Sequence, residues 1–289
     1  MTSRGFGVAA FTLALVSLSG CLLEDDDDDP INGTNVTNDR DGDGGASTAP
    51  EGRGGEQSAP AAGGSGGRTA PAATCDGVEP LPPATEEDLT IGPGCVRIND
   101  FEVNGSATLT LLPGTRVEFA PGGFLSVGRN GGSATLSAVG TLEAPITFTS
   151  SNANPRAGDW QCIHLDGDGS ELDNVIVEFG GAACGATGAD REGMIQVYGS
   201  PRGITNAVIQ DSSTVGVELA GTATLFANNT FQRNTLAPLR VSSNSLTSIG
   251  AANAFDAGDV ILVEPDLVTR SGTWANHGLP YRFAAGFGI

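Results

Sequence analysis

The 289-residue chain contains no lysine; its 14 basic residues are all arginine and face 34 acids, for a net charge of −20. A chain this poor in positive charge cannot neutralise phosphates, so nucleic acid is excluded as a partner. Electrostatic docking on anionic lipid is excluded for the same reason. Aromatic residues are only 6% of the chain and histidines number two. No sustained helical stripe of apolar residues appears, which argues against a helical bundle. Glycine, by contrast, contributes 43 residues. Abundant glycine between short apolar runs suits short strands joined by many turns. Long hydrophobic runs are also missing, with one exception, Phe6 to Leu18. At 13 residues it is shorter than the roughly 20 needed to span a bilayer.

That stretch follows Arg4 and runs into Leu18-Ser19-Gly20-Cys21. A positive start, a short apolar core and small residues make it a secretory signal. Its ending resembles the processing box of bacterial lipoproteins. The resemblance implies removal of residues 1–20, lipidation of Cys21 and membrane attachment through that anchor. In many Gram-negative lipoproteins an aspartate after the cysteine retains the protein in the inner membrane. Leu22 stands there, so the resemblance implies the outer membrane.

From the lipidated cysteine to Thr74, residues 21–74, no segment carries a pattern that would bury a core. Glu24 to Asp29 is an unbroken acidic run, and Gly, Ala, Ser, Pro and Thr dominate thereafter. Such a composition does not offset chain entropy, so a disordered tether is expected. As a coil it spans roughly 40 Å root-mean-square, more where like charges repel. Within it, Asp39, Asp41 and Asp43 match the opening of a calcium loop. Pro50 takes the place of the closing glutamate, so a solvated linker is the preferred reading, with calcium as an allowed rather than required ligand.

Residues 75–289 read as a folded domain. Thr115-Arg-Val117-Glu-Phe119 and Val215-Gly-Val217-Glu-Leu219 alternate apolar and polar side chains, the signature of strands. Asparagine, any residue, then a large apolar residue recurs at Asn174, Asn206, Asn229 and Asn253, with steps of 32, 23 and 24 residues. The long step contains a Gly/Ala-rich insertion between Gly180 and Gly193. A period near 24 fits one turn of a solenoid of short parallel strands. Asparagine tolerates the left-handed corner conformation, and stacked side-chain amides would form a ladder between turns. A β-sandwich or propeller is the alternative fold.

Pro113-Gly-Thr-Arg-Val-Glu-Phe119, Ala144-Pro-Ile-Thr-Phe-Thr-Ser150, Gly158-Asp-Trp160 and Asn229-Thr-Phe-Gln-Arg-Asn234 resemble the right-handed parallel β-helix (pectin-lyase-like) repeats of bacterial surface lipoproteins. That resemblance implies a fold rather than an activity, since the same coil serves lyases, hydrolases and adhesins. Near the C-terminus, the segment from Gly278 resembles the one around Val96, aligning Arg282 with Arg97. It reads either as a capping strand or as the start of a further copy.

Beyond Cys21 the chain has Cys75, Cys95, Cys162 and Cys184, an even number that suits an exported protein. Three connectivities are open. Pairing near neighbours, Cys75–Cys95 and Cys162–Cys184, is preferred, each loop contributing about 3 kcal/mol in the chain-entropy model. A zinc site is the alternative, though the spacing lacks short paired ligands. Catalytic candidates are Asp159, His164, Asp166 and Asp168. Alternation places His164 outward beside the aspartates, where an acid/base or metal role is chemically open and a solvated strand residue is the plainer expectation. Pectinase-type hydrolases carry Gly-His-Gly and an Arg-x-Lys segment; both are missing here. Trp160 is a candidate sugar platform, with packing the preferred role. The resulting expectation is a lipid-anchored cell-envelope protein that displays a β-helix for adhesion or contact with a polysaccharide or cell-surface glycan, without catalysis. A polysaccharide lyase or glycoside hydrolase with an acidic, calcium-assisted site is the alternative.

Overall fold

The computed structural model describes residues 75–184, 193–223 and 225–284. The signal segment, Cys21, the tether and Asp39, Asp41 and Asp43 lie outside the described residues. The strands run in chain order β1 (Ala84–Thr85), β2 (Leu89–Ile91), β3 (Gly94–Val103), β4 (Thr108–Leu111), β5 (Thr115–Val127), β6 (Thr135–Val139), β7 (Ile146–Ser150), β8 (Ile163–Leu165), β9 (Glu171–Asp173) and β10 (Val175–Glu178). They continue as β11 (Ile195–Val197), β12 (Gly203–Thr205), β13 (Val208–Gln210), β14 (Val215–Leu219), β15 (Phe226–Ala227), β16 (Thr230–Gln232), β17 (Ala237–Ser242), β18 (Ile261–Glu264) and β19 (Tyr281–Phe283). Apart from two single 3₁₀ turns, the described residues contain no helix.

Every strand pairing is parallel, and each joins a strand to its equivalent one turn later. The chain is therefore coiled into a parallel β-solenoid, and an antiparallel sandwich is ruled out. Three faces recur. The first carries β7, β10, β13 and β16; the second β8, β11, β14, β17, β18 and β19; the third β2, β4, β6, β9, β12 and β15. The long strands β3 and β5 bend through the corner between the first two faces, with a register shift between Ile98 and Asp100. On the second face Ile195, Val217, Leu239 and Ile261 stack at steps of 22 residues. The step from Ile163 to Ile195 is 32, because the Gly/Ala-rich insertion lies within it.

Alternation explains the core. Inward positions of the second face are Leu125, Ile163, Ile195, Val217, Leu239 and Ile261, all fully buried. Aromatic rings fill the corners: Phe119 stacks on Trp160 with centroids 4.2 Å apart, and Phe226, Phe231 and Phe255 form a second stack. Burial of each such side chain contributes about 1.5–3 kcal/mol.

The asparagines divide into two sets, which differs from a single ladder. Asn174, Asn206 and Asn228 share one register position and have φ of 49°, 51° and 59°. These are left-handed corners. Asn229 and Asn253 sit one position further on and are buried. The amides do not stack on one another. Instead the Ala207 N–H donates to Asn229 Oδ1 at 3.0 Å, and the Asn229 N–H donates to Asn253 Oδ1 at 3.0 Å. The Asn229 amide in turn donates to the Ile204 carbonyl at 2.8 Å. These side chains satisfy buried backbone groups at the bend, where strand pairing lapses. The recurring motif therefore falls on one register position at Asn174 and Asn206 and on the next at Asn229 and Asn253, so it spans two structural roles.

Phe179, Asp211 and Arg233 form a second left-handed row, five residues after the first, with φ of 66°, 55° and 52°. The first-face strands β10, β13 and β16 are thus each bracketed by two such corners. At the C-terminal end, Arg282 pairs with Leu262, not with a position equivalent to Arg97, and β19 extends the second face by one strand.

Both disulfides join near neighbours: Cys75–Cys95 and Cys162–Cys184, with Cα separations of 5.2 and 5.7 Å. The second ties the start of the insertion to the strand entering β8. Such bonds belong to an oxidising compartment. Among the described residues no helix is long and apolar enough to cross a membrane.

Trp160 is fully buried and its indole N–H donates to the Glu178 carbonyl at 2.9 Å. It packs the corner and offers no platform to a sugar. A Cβ on Gly180 would lie 2.6 Å from the indole ring, so only glycine lets the insertion leave across it. Replacement Trp160→Ala is expected to cost about 3–5 kcal/mol of stability, visible as a lower midpoint in urea unfolding followed by circular dichroism.

Candidate functional site

The outer sides of the first two faces differ in kind. On the first face the outward row is internally satisfied. Thr149 donates to Glu178 Oε1 at 2.9 Å, Gln210 donates to Glu178 Oε2 at 2.8 Å, and Arg233 donates to Gln210 Oε1 at 3.0 Å. Arg233 also pairs in bidentate fashion with Asp211, both bonds at 2.8 Å. This ladder braces turns and uses up its own polar groups.

On the second face one outward row runs Ser126, His164, Gln196, Glu218, Arg240, Leu262. His164 points outward as alternation requires, but it is only 4% exposed, so it is not the solvated residue expected from sequence. Its ring packs against Tyr198 at 5.1 Å. Gln196 is fully buried and Glu218 is 8% exposed. The row then emerges from cover towards β17 and β18.

There the surface is hollow. A cleft of about 500 Å³ is lined by Glu218, Ala220, Arg240, Ser242, Glu264 and Asp266, with Leu219 and Val241 at its base. Its origin lies in side-chain size. Continuing the register places Tyr198, Ala220, Ser242 and Glu264 in one outward row. The small Ala220 and Ser242 form a floor between the larger Tyr198 and Glu264. The Tyr198 hydroxyl donates to Glu218 Oε1 at 3.2 Å, and Arg240 Nε lies 3.3 Å from Glu264 Oε1. Asp266 is held in place by the Asn244 amide at 3.1 Å and the Leu267 N–H at 2.8 Å. A concave patch that gathers several polar side chains is a feature small-ligand sites share.

The catalytic candidates are not gathered here. Asp159 caps a turn, accepting from the Ser150 hydroxyl at 2.7 Å and the Arg156 N–H at 2.9 Å. Burial works to raise its pKa, but hydrogen bonds from Ser150, Asn152 and Arg156, with the Arg156 charge, outweigh it and hold the carboxyl below its usual range. A general acid needs the opposite shift. Asp168 accepts the Ser200 N–H at 2.7 Å, a brace between turns. Asp166 lies half-buried just after β8. Among the described residues one trio places three ligand-type atoms together, Cys75, Cys95 and Glu118, and its two cysteines are bonded to each other. That answers the zinc alternative for this pair.

Glu218, Arg240, Ser242 and Glu264 were not among the residues sequence reasoning selected. The alternation Val217-Glu-Leu219 put Glu218 outward, but nothing in the sequence joined it to residues 22 and 46 positions later. No protein-family model, no curated protein and no solved structure matches this chain. The site therefore stands on its geometry.

His277 lies near the C-terminal end, its ring 5.5 Å from Phe255 and 6.3 Å from Tyr281. Burial lowers its pKa below the ordinary 6.5. The unfolded chain then takes up the proton more readily, so the neutral ring's contribution is complete above the unfolded value near 6.5. It is lost as pH falls from there through the lower folded value. His277→Phe is expected to flatten the pH dependence of the melting temperature below about 6.5, measured by thermal scans from neutral to acidic buffer.

Proposed function

We propose that this chain is a lipid-anchored protein of the cell envelope, carrying its β-solenoid at the end of an acidic tether and contacting glycan without cleaving it. The hollow on the second face is the observation that carries the glycan reading. It brings carboxylates, a guanidinium and a hydroxyl to one concave surface. Two of the three carboxylates that sequence offered for catalysis, Asp159 and Asp168, are engaged in turns elsewhere. The Leu18-Ser19-Gly20-Cys21 ending supports the anchor and the outer membrane as its destination; the two disulfides fit export. The resemblance to pectin-lyase-like lipoproteins supports the same assignment.

A glycoside hydrolase is the second reading, favoured by one feature. Glu218 on β14 and Glu264 on β18, strands two apart, both line the hollow and offer the two carboxylates that glycoside hydrolysis uses. Arg240 lies between those strands and pairs with Glu264, which suits a fixed polar contact better than a general acid.

Incubating the full-length protein with immobilised polysaccharides, with and without calcium, is expected to give retention and no released oligosaccharide. Product release assigns the enzyme instead, and failure of every polysaccharide to retain the protein removes the glycan reading. Separately, Cys21→Ser is expected to abolish incorporation of labelled palmitate and to move the protein out of the membrane fraction.

A further inference from the structure

We propose that the two ends of the coil form one interface, through which copies of this chain stack head to tail. The inference stands apart from the hollow and from the glycan reading.

The inward rows end uncovered. In the first turn Leu89 and Ile91 pair with the buried Leu109 and Leu111, yet both are only partly buried. Leu81, which follows the bridge from Pro80 to Arg97, is partly buried in the same way. In the last turn Phe255 stacks on the buried Phe231 at 5.2 Å, and Tyr281 pairs with the buried Ile261. Both are again half-buried. Among the described residues no strand pairs with β1 beyond β3 or with β19 beyond β18. A further turn on either end buries these side chains, and a second copy supplies one.

Backbone direction says how the copies fit. The Glu102 and Asn104 N–H groups donate to the Pro83 and Thr85 carbonyls at 2.9 Å. Alternation therefore turns the Ala84 N–H and C=O away from β3. At the other end the Ile261 N–H donates to the Pro280 carbonyl, and the Ala284 N–H to the Val263 carbonyl, both at 3.0 Å. The Tyr281 carbonyl is turned away from β18 by the same rule. Stacking brings the Ala84 N–H of the second copy to this carbonyl, with Ala84 opposite Arg282. Those two residues already begin and end one outward row of the second face. The new pairing is parallel, like every other in the coil, and all three faces continue across it.

Charge selects this arrangement over its alternatives. Residues 75–93 hold Asp76, Glu79, Glu86, Glu87 and Asp88, all exposed, and no base, for a net charge of −5. Residues 265–284 hold Asp266, Arg270 and Arg282, for a net charge of +1. Head-to-tail stacking sets Arg282 near Glu86 of the second copy, two residues from Ala84. Two heads together appose acids, and two tails appose Arg282 with itself. Opposite charges across an interface favour one pairing and like charges reject the others. A contact between unlike ends does not close, so chains of copies result.

Sedimentation velocity of the full-length chain carrying Cys21→Ser, which keeps any lipid out of the association, tests this. From about 1 to about 300 µM the protein is expected to form a ladder of species beyond the dimer. That ladder is expected to shorten as salt rises from about 0.05 to about 0.5 M. Arg282→Glu alters the tail, and Glu86→Arg with Glu87→Arg alters the head. Each is expected to weaken association at least about tenfold with an unchanged melting temperature. Mixing the two proteins is expected to give a dimer and nothing longer, because one intact head meets one intact tail. A monomer at every concentration means another occupant covers the ends and overturns the proposal. A closed dimer that Arg282→Glu abolishes and the head variant retains is tail to tail, and overturns it as well. Association untouched by either variant lies on another surface and overturns it too.

Discussion

Everything in this domain depends on hydrogen bonding between one turn of the coil and the next. A short strand of three or four residues cannot hold itself in place. Parallel pairing with its equivalents before and after holds it, and the same pairing brings like side chains into register. Inward positions then stack as continuous apolar rows, so hydrophobic burial and backbone pairing reinforce each other at every step. Where the chain must turn, pairing lapses and some other group has to serve the backbone. Asn229, Asn253 and Asn234 do this with side-chain amides, while left-handed residues on both sides of β10, β13 and β16 make the bends.

That stacking also creates the site. Because the register repeats, residues 22 apart in the chain become neighbours, and the outward row converts a sequence of separated polar residues into one surface. The first face uses this to link Thr149, Glu178, Gln210 and Arg233 into a closed ladder. The second face leaves small residues beside large ones and so keeps a cleft. Two faces built by the same rule therefore differ in surface shape through side-chain size and partner choice. The Cys162–Cys184 bond lies at the entry to β8, on the second face, where His164 and Gln196 are buried.

Much of the fold was legible in advance, since alternation and near-constant spacing are local properties of the chain. The strands around Val117 and Val217 and the insertion between turns follow from them. The asparagine motif was legible only in outline. Its four members look equivalent in sequence, yet they occupy two register positions, and only the strand pairing reveals that Asn206 aligns with Asn228 rather than Asn229. His164 shows a similar limit. Alternation gives the direction of a side chain but not what lies over it, and burial of an outward residue is a tertiary fact.

The sequence by itself determined an all-β coil and a cysteine pattern fit for export, because strand period, turn residues and cysteine number are written locally. Tertiary structure alone decided which cysteines meet, which amides serve the backbone and where a concave polar surface opens. The reason is physical: a hollow is made as much by the small side chain at Ala220 as by the large ones around it, and their neighbourhood exists only once the turns have stacked.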